Sequence, residues 1–333
     1  ENGPMCPCSW ITYHTFSLLL GSSPILGIMS SILDQTRALR IKETYGSVLK
    51  PWDGSSATPS LLAFASSDQG VIRNGGRLGA RWAPQALLCQ LKKLSLGEEA
   101  SEINWTEVAA IAQEQTDFEQ GQALEALNLA RVLSSTKRLV HIGGGHDHVL
   151  PLLRVLGKDR PLVVINIDAH CDTRAESEPH SGNPFRLYAQ EAKHDFKLFQ
   201  VGIHPFANSL STLSALPKGE MSILYRDECE DPVVVAAFLA RMQSAIPDEA
   251  RVLFSLDCDA LEAQAVSAVS APNHHGLSLN FVHSLVRWYA QWCEEQGQRQ
   301  FYGVYEFNPL YDTISGTSAR ALVGLLHAML APH

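Results

Sequence analysis

Val163 to Asp172 (VVINIDAHCD) carries the densest chemistry of the chain, an apolar run that ends in Asp168, Ala169, His170, Cys171 and Asp172. On backbone that stays extended past the end of a strand, side chains two apart share a face, so Asp168, His170 and Asp172 converge on one point. Two carboxylates and an imidazole at that spacing suit a metal cation. Downstream, apolar Val252 to Leu256 runs into Asp257, Cys258 and Asp259, again with two carboxylates two residues apart. Upstream, LVHIGGGHDH at 139–148 reads as a strand followed by three glycines and His146.

Each motif alone has an ordinary reading. An isolated DxH or DxD is commonly a turn or a helix cap, and GGGH could cradle a phosphate. It lacks the Lys-Ser/Thr of a phosphate-binding P-loop and the spacing of a dinucleotide fingerprint. Taken together, His146, Asp168, His170, Asp172, Asp257 and Asp259 form a set in which four carboxylates repel one another unless cations offset them. Two divalent ions balance four negative charges. An oxygen-rich, imidazole-containing set suits Mn²⁺ better than thiolate-seeking metals, with Zn²⁺, Fe²⁺ and Ni²⁺ also compatible by ligand type. Two such ions roughly 3.5–4 Å apart lower the pKa of a shared water and present a nucleophile to an electrophilic carbon. Cys171 and Cys258 fall at the odd positions, so packing is expected of them rather than ligation.

The elements that must position these residues alternate along the chain. β-branched runs at Leu61–Ala65, Leu139–Ile142, Leu162–Ile167, Leu198–Ile203, Ser222–Tyr225, Val252–Leu256 and Phe301–Glu306 predict strands. Helical spacing recurs at Pro84–Leu94, Trp105–Ser134, Val149–Leu156, Pro184–Ala192, Pro232–Ala245, Leu279–Glu295 and Thr317–Leu330. Strand and helix in turn predict a parallel sheet with helices on both faces, joined by right-handed crossovers. Ligands of such sheets bind beyond the carboxyl ends of the strands, where all three clusters fall.

At 333 residues, 45% hydrophobic and 18% charged, the chain is globular, and a net charge of −9 with no basic run argues against nucleic acid or an anionic membrane as partner. A small molecule is the expected partner. Seven cysteines, scattered apart from Cys6 and Cys8, do not form a disulfide framework and fit a reducing compartment, hence a cytoplasmic location. Residues 1–28 read as a leader, an added extension or a targeting piece, without the basic flank of a secretory signal. No Pro/Gly/Ser linker divides the region from Met29 on, so residues 29–333 are expected to be a single catalytic domain.

Five motifs, GGGHD at 143–147, NIDAHCDTR at 166–174, SGNPFR at 181–186, SLDCDALE at 255–262 and VYEFNPLYD at 304–312, resemble in order and spacing the series of the ureohydrolase family, which includes arginase, agmatinase and formimidoylglutamase. The likeness runs from about Leu61 to the C terminus. It implies a three-layer α/β/α fold with a doubly wound, mainly parallel eight-stranded sheet, and two Mn²⁺ per subunit in a homo-oligomer. His146 and Asp172 would hold one ion, His170 and Asp259 the other, with Asp168 and Asp257 bridging. Within the family the sequence looks most like the formimidoylglutamase branch. The arginase pattern SGNxH carries a proton-shuttling His where this chain has Phe185, and an aromatic ring transfers no protons.

The implied reaction is hydrolysis of N-formimidoyl-L-glutamate to L-glutamate and formamide. Glu306, at the end of the last strand, would pair with the amidinium. The dicarboxylate calls for cations, preferably the planar fork of Arg. Arg174 and Arg186 are the first candidates, Arg73 and Arg77 the next, with Ser181 and Asn183 adding neutral hydrogen bonds. Asp172 is the nearest donor for the leaving amine, with His148, His180, His204, His274 and His275 in plausible loops. Asn273, His274 and His275 depart from the family pattern of small apolar residues and could reshape the substrate pocket. Two alternatives stand beside this reading: a guanidino-acid ureohydrolase that releases urea, and a catalytically silent structural or regulatory family member.

Overall fold

The computed structural model of the protein describes residues 43–97, 102–109, 117–217 and 219–330, so the expectation for residues 1–28 lies outside the described residues. Among the described residues nine strands form one sheet: β1 (Leu49–Pro51), β2 (Thr58–Ala65), β3 (Ile103–Ala109), β4 (Thr136–Gly143), β5 (Leu162–Ile167), β6 (Phe196–Ile203), β7 (Met221–Tyr225), β8 (Arg251–Asp257) and β9 (Gln300–Tyr305). Their spatial order is β1-β3-β2-β4-β9-β8-β5-β6-β7, and every pairing is parallel. The ninth strand, beyond the eight expected, is the three-residue β1 that pairs with β3 at the edge.

Helices cover both faces because adjacent strand residues point to opposite sides and both sides are apolar. Leu62 and Phe64 of β2, with Ile165 and Ile167 of β5, pack toward Ala83–Leu91, Pro232–Ala245, Leu279–Glu295 and Thr317–Leu330. Leu61, Ala63 and Ala65 of β2, with Leu162 and Val164 of β5, pack toward Phe118–Leu133, Val149–Leu156 and Pro184–Glu191. The result is the three-layer α/β/α arrangement.

One segment differs from its sequence pattern. Trp105 to Ala109, expected as the start of a helix over Trp105–Ser134, belong to the strand Ile103–Ala109 held between β1 and β2, and the helix begins at Phe118, capped by the Asp117 side chain accepting from Glu119 N–H. Polar Asn104, Thr106 and Glu107 within β3 hide the alternation. Flanking strands on both sides, which no local pattern reports, favour the extended form.

The strand order is what matters for chemistry. β4, β9, β8 and β5 lie side by side at the centre, although the chain visits them fourth, ninth, eighth and fifth. Successive crossovers leave a crevice at their carboxyl ends, the place where open α/β sheets bind ligands.

Candidate metal centre

Each of the four central strands delivers a polar side chain to this crevice. His146 follows β4, Asp168 to Asp172 follow β5, Asp257 and Asp259 end β8, and Glu306 follows β9. His146 Nδ1 lies 2.9 Å from Asp172 Oδ2, 3.1 Å from Asp257 Oδ2 and 3.3 Å from Asp168 Oδ2. His170 Nδ1 lies 3.2 Å from Asp259 Oδ2 and 3.7 Å from Asp168 Oδ1. Two groups result, His146/Asp168/Asp172/Asp257 and Asp168/His170/Asp259, each offering ligand atoms within 4.8 Å of one another. Asp168 belongs to both. Asp257 falls in the first group, and its Oδ1 turns toward the second to accept the Asp259 N–H at 2.8 Å.

The two acidic motifs fold alike. In each, the first Asp accepts the backbone N–H two residues on, Asp168 from His170 and Asp257 from Asp259, both at 2.8 Å. That Asx turn is a local property of Asp at the end of a strand, and it aims the second ligand at the first. Among the described residues the only non-glycine positions with positive φ are Asp172 (50°) and Glu306 (65°), both in the crevice. Such backbone costs about 1–3 kcal/mol and persists where the surroundings enforce it.

The donor set fits a pair of cations. His146 Nδ1 and Asp259 Oδ1 are buried without a hydrogen-bond partner, while His146 Nε2 is engaged 2.9 Å from Ser255 Oγ. Buried lone pairs left open cost free energy unless a ligand satisfies them. Electrostatics agree: burial, then the charge of Asp168, pushes Asp172 up to about 6, and burial, then Asp259 and Asp168, pushes Asp257 well above the carboxylate range. Burial also raises Asp168, but His146 and His170 outweigh it and hold it low. Asp259, partly opposed by burial, drives His170 upward. Carboxylates this crowded call for positive charge.

A cavity of about 890 Å³ opens above these groups. His170, Asp172, Asp257, Asp259 and Glu306 reach its wall, and Arg174 is the one Lys or Arg side chain among its described lining residues. His146 and Asp168 are fully buried beneath it. Ser181 also lines it and accepts from Asn74 Nδ2 at 3.1 Å, while Arg174 Nη1 donates to Asn74 Oδ1 at 2.8 Å. Glu306 accepts the His146 N–H at 3.0 Å, and burial above all pushes its carboxyl up to about 8.

Other sequence candidates stand elsewhere. The Asn183 amide is used within its own loop, donating to Glu176 and Glu178 carbonyls and accepting from His180 N–H, so no N–H is left to donate to a substrate carboxylate. Arg186 is on Pro184–Glu191, outside the cavity wall. Arg73 lies over the Phe118 ring, 3.7 Å from Glu119, and lines a separate shallow hollow. Arg77 stacks on Tyr311. His274 is exposed and His275 faces Asp227 at 3.2 Å, both off the cavity wall. His148 is engaged by Glu125, His180 by Gly182 N–H and His204 by Asn273. Phe185 is fully buried with its ring edge against His146, centroids 5.4 Å apart. Cys171 and Cys258 are buried as expected.

Sequence reasoning missed Asn74, Ser255 and the Ser209, Ser211 and Thr212 wall. Asn74 lies in the RNGGR loop, whose glycines marked it; the serines sit in ordinary polar sequence.

The arginase family model matches residues 64–331 of this chain. Formimidoylglutamase of Rhodococcus jostii is 28% identical over 292 residues, 84% of this chain and 87% of that protein. Among solved structures, formimidoylglutamase from Bacillus subtilis superposes with a TM-score of 0.74 at 22% identity, covering 86% of this chain and 90% of its own. Trypanosoma cruzi formiminoglutamase with Mn²⁺ gives 0.70 at 22% identity, covering 82% and 92%.

Proposed function

This chain belongs to the arginase family, and from that premise we propose that it is a binuclear Mn²⁺ hydrolase that converts N-formimidoyl-L-glutamate and water to L-glutamate and formamide. The observation that carries the reading is the pair of ligand groups sharing Asp168 on the floor of a cavity whose walls offer a carboxylate, Glu306, and one guanidinium, Arg174. His146, Asp168, Asp172 and Asp257 would hold one ion, and Asp168, His170 and Asp259 the other, with Asp257 reaching toward both. A pair of divalent ions so held supplies an activated water and polarises the amidine.

The protein's own groups do the rest. Glu306, fixed by the His146 N–H, presents a carboxylate to the amidinium, where a charge-assisted hydrogen bond orients the reacting carbon. Arg174, held by Asn74, receives a substrate carboxylate, and Ser181 adds a hydroxyl beside it. Phe185, packed behind His146, moves no proton, and Asp172 on the cavity wall is our candidate to protonate the leaving amine.

A single catalytic domain is supported by the unbroken sheet of the described residues, while the boundary at Met29 lies outside them. No described helix is long and apolar enough to cross a membrane. A cytoplasmic location fits the buried thiols of Cys171 and Cys258. Homo-oligomerisation is supported by the adjoining exposed Leu78, Leu310 and Tyr311, an apolar surface suited to burial against a second copy.

Purified protein grown with Mn²⁺ and offered N-formimidoyl-L-glutamate should release formamide and glutamate in equal amounts. Urea from arginine, agmatine or another guanidino acid, without formamide, would overturn the assignment.

A further inference from the structure

Behind the crevice, on the side away from the cavity, runs a buried polar chain that the proposed reaction does not use. Tyr305 Oη lies 2.9 Å from His141 Nδ1, and His141 Nε2 lies 3.2 Å from Glu125 Oε1. Glu125 Oε2 lies 2.7 Å from His148 Nδ1, and His148 Nε2 lies 3.0 Å from the Ser67 carbonyl oxygen. Tyr305 and His141 are fully buried, and Glu125 and His148 nearly so. The partners dictate the protons. His148 faces an acceptor at each nitrogen, so both carry hydrogen and it pairs with the Glu125 carboxylate. His141 faces that carboxylate with Nε2, 3.2 Å away and without a formed hydrogen bond, while its Nδ1 shares a hydrogen bond with the Tyr305 hydroxyl.

The far end of the chain touches the metal centre. The Tyr305 ring stacks on the His146 imidazole, centroids 5.0 Å apart and planes 23° from parallel. Room for the ring exists because both neighbours are glycine: a Cβ at Gly143 would stand 2.7 Å from Tyr305 Cδ1, and one at Gly303 2.5 Å from Cε2. The next residue, Glu306, accepts the His146 backbone N–H, so the end of β9 grips both the ring and the backbone of His146. A buried ion pair is costly and adds little net stability, whereas its fixed geometry can hold a neighbour in one orientation.

We infer that Tyr305, tethered through His141 to Glu125, is a positioning residue that sets the imidazole plane of His146 for the ion shared with Asp172. The inference rests on the binuclear reading above. Ser255 Oγ holds Nε2 of His146 and the Tyr305 ring holds its face, and loss of a group that orients a ligating imidazole typically costs about 10- to 100-fold in metal affinity.

The test is calorimetric titration of Mn²⁺ into full-length, chelator-stripped protein, with bound metal counted by mass spectrometry and metal-free Tm recorded. Wild type should take up two ions. Tyr305→Leu should weaken one binding step by about 10- to 100-fold and leave the other within about twofold. Tyr305→Phe keeps the ring and should weaken the same step by only about 3- to 10-fold, the size of one hydrogen bond. Glu125→Gln should affect that step in the same direction. A merely structural role would lower the metal-free Tm and leave both steps unchanged, and that result overturns the inference. If Tyr305→Leu does not fold, unchanged affinities in Tyr305→Phe and Glu125→Gln overturn it equally. Wild type that takes up fewer than two ions would instead remove the binuclear reading itself, and the inference with it.

Discussion

Replacing Glu306 by Gln separates its charge from its shape. Glu306 is 6% exposed, has φ 65°, and accepts the His146 N–H at 3.0 Å through Oε1. Gln fills the same volume and its amide oxygen can accept the same N–H, so fold and ligand placement should survive. What is lost is the negative charge that Glu306 takes on when bound cations and the amidinium stand against it, since burial above all otherwise holds its carboxyl up at about 8. A hydrogen bond to a charged group contributes about 1.5–3 kcal/mol, and at about 1.4 kcal/mol per tenfold the expected fall in kcat/KM is roughly 10- to 150-fold. Stability should move the other way. Burial holds the folded-state pKa at about 8, above the unfolded value, so this carboxyl contributes stability only while protonated and loses it as pH rises through 8. Metal-free Glu306→Gln at pH 8.5 should therefore melt no lower than wild type. The assay is formamide release across substrate concentrations, with bound metal counted on the same sample. A variant that holds both ions and keeps kcat/KM within about threefold of wild type would refute the pairing of Glu306 with the amidinium, since that is less than the loss of any charged hydrogen bond.

Asp257→Asn removes a charge 3.1 Å from His146 Nδ1 and should weaken metal retention by about 100-fold, abolishing turnover at low Mn²⁺; undiminished turnover in chelated buffer contradicts it. Arg174→Ala takes the one guanidinium from the described cavity wall and should raise KM by about 10- to 100-fold with both ions still bound, and an unchanged KM moves carboxylate recognition elsewhere. For the metal-free protein, Asp172, Asp257 and Glu306 all have folded pKa values above their unfolded ones, so the stability they contribute is complete below about pH 4 and is lost as pH rises through about 6 and 8. Asp168, held low, works in the opposite sense, but its contribution is complete above about pH 4. Scanning fluorimetry of stripped protein should thus show Tm falling between pH 5 and 9, with Mn²⁺ removing most of the fall; a rising Tm would show that the carboxylates are not crowded as described.

Legibility followed the range of the interactions. β5 reads as a strand because all six of its residues are buried between two helical layers, so its apolar run is continuous. β3 does not, because its polar residues are tolerated near the sheet edge and only its flanking strands make it extended. The DxH and DxD turns are closed by bonds two residues apart, so their geometry is already present in the local sequence. Among the substrate candidates, Arg174 reached the wall and Arg73 and Arg186 did not, although all three follow or precede motif residues. A long side chain can turn to any of several partners, and Phe118 and Glu119, which hold Arg73, are far from it in the chain.

From the amino-acid sequence alone come the parallel α/β architecture, the six Asp and His residues proposed as ligands and the acidic ends of their strands, because periodicity, Asx turns and charge crowding act over a few residues. Only the tertiary structure decided that β4, β9, β8 and β5 stand as neighbours, which cation faces the cavity, and that Tyr305 lies against His146. Those contacts join residues up to 162 positions apart, and strand order, set by the burial of two whole faces at once, leaves no mark in any local stretch of sequence.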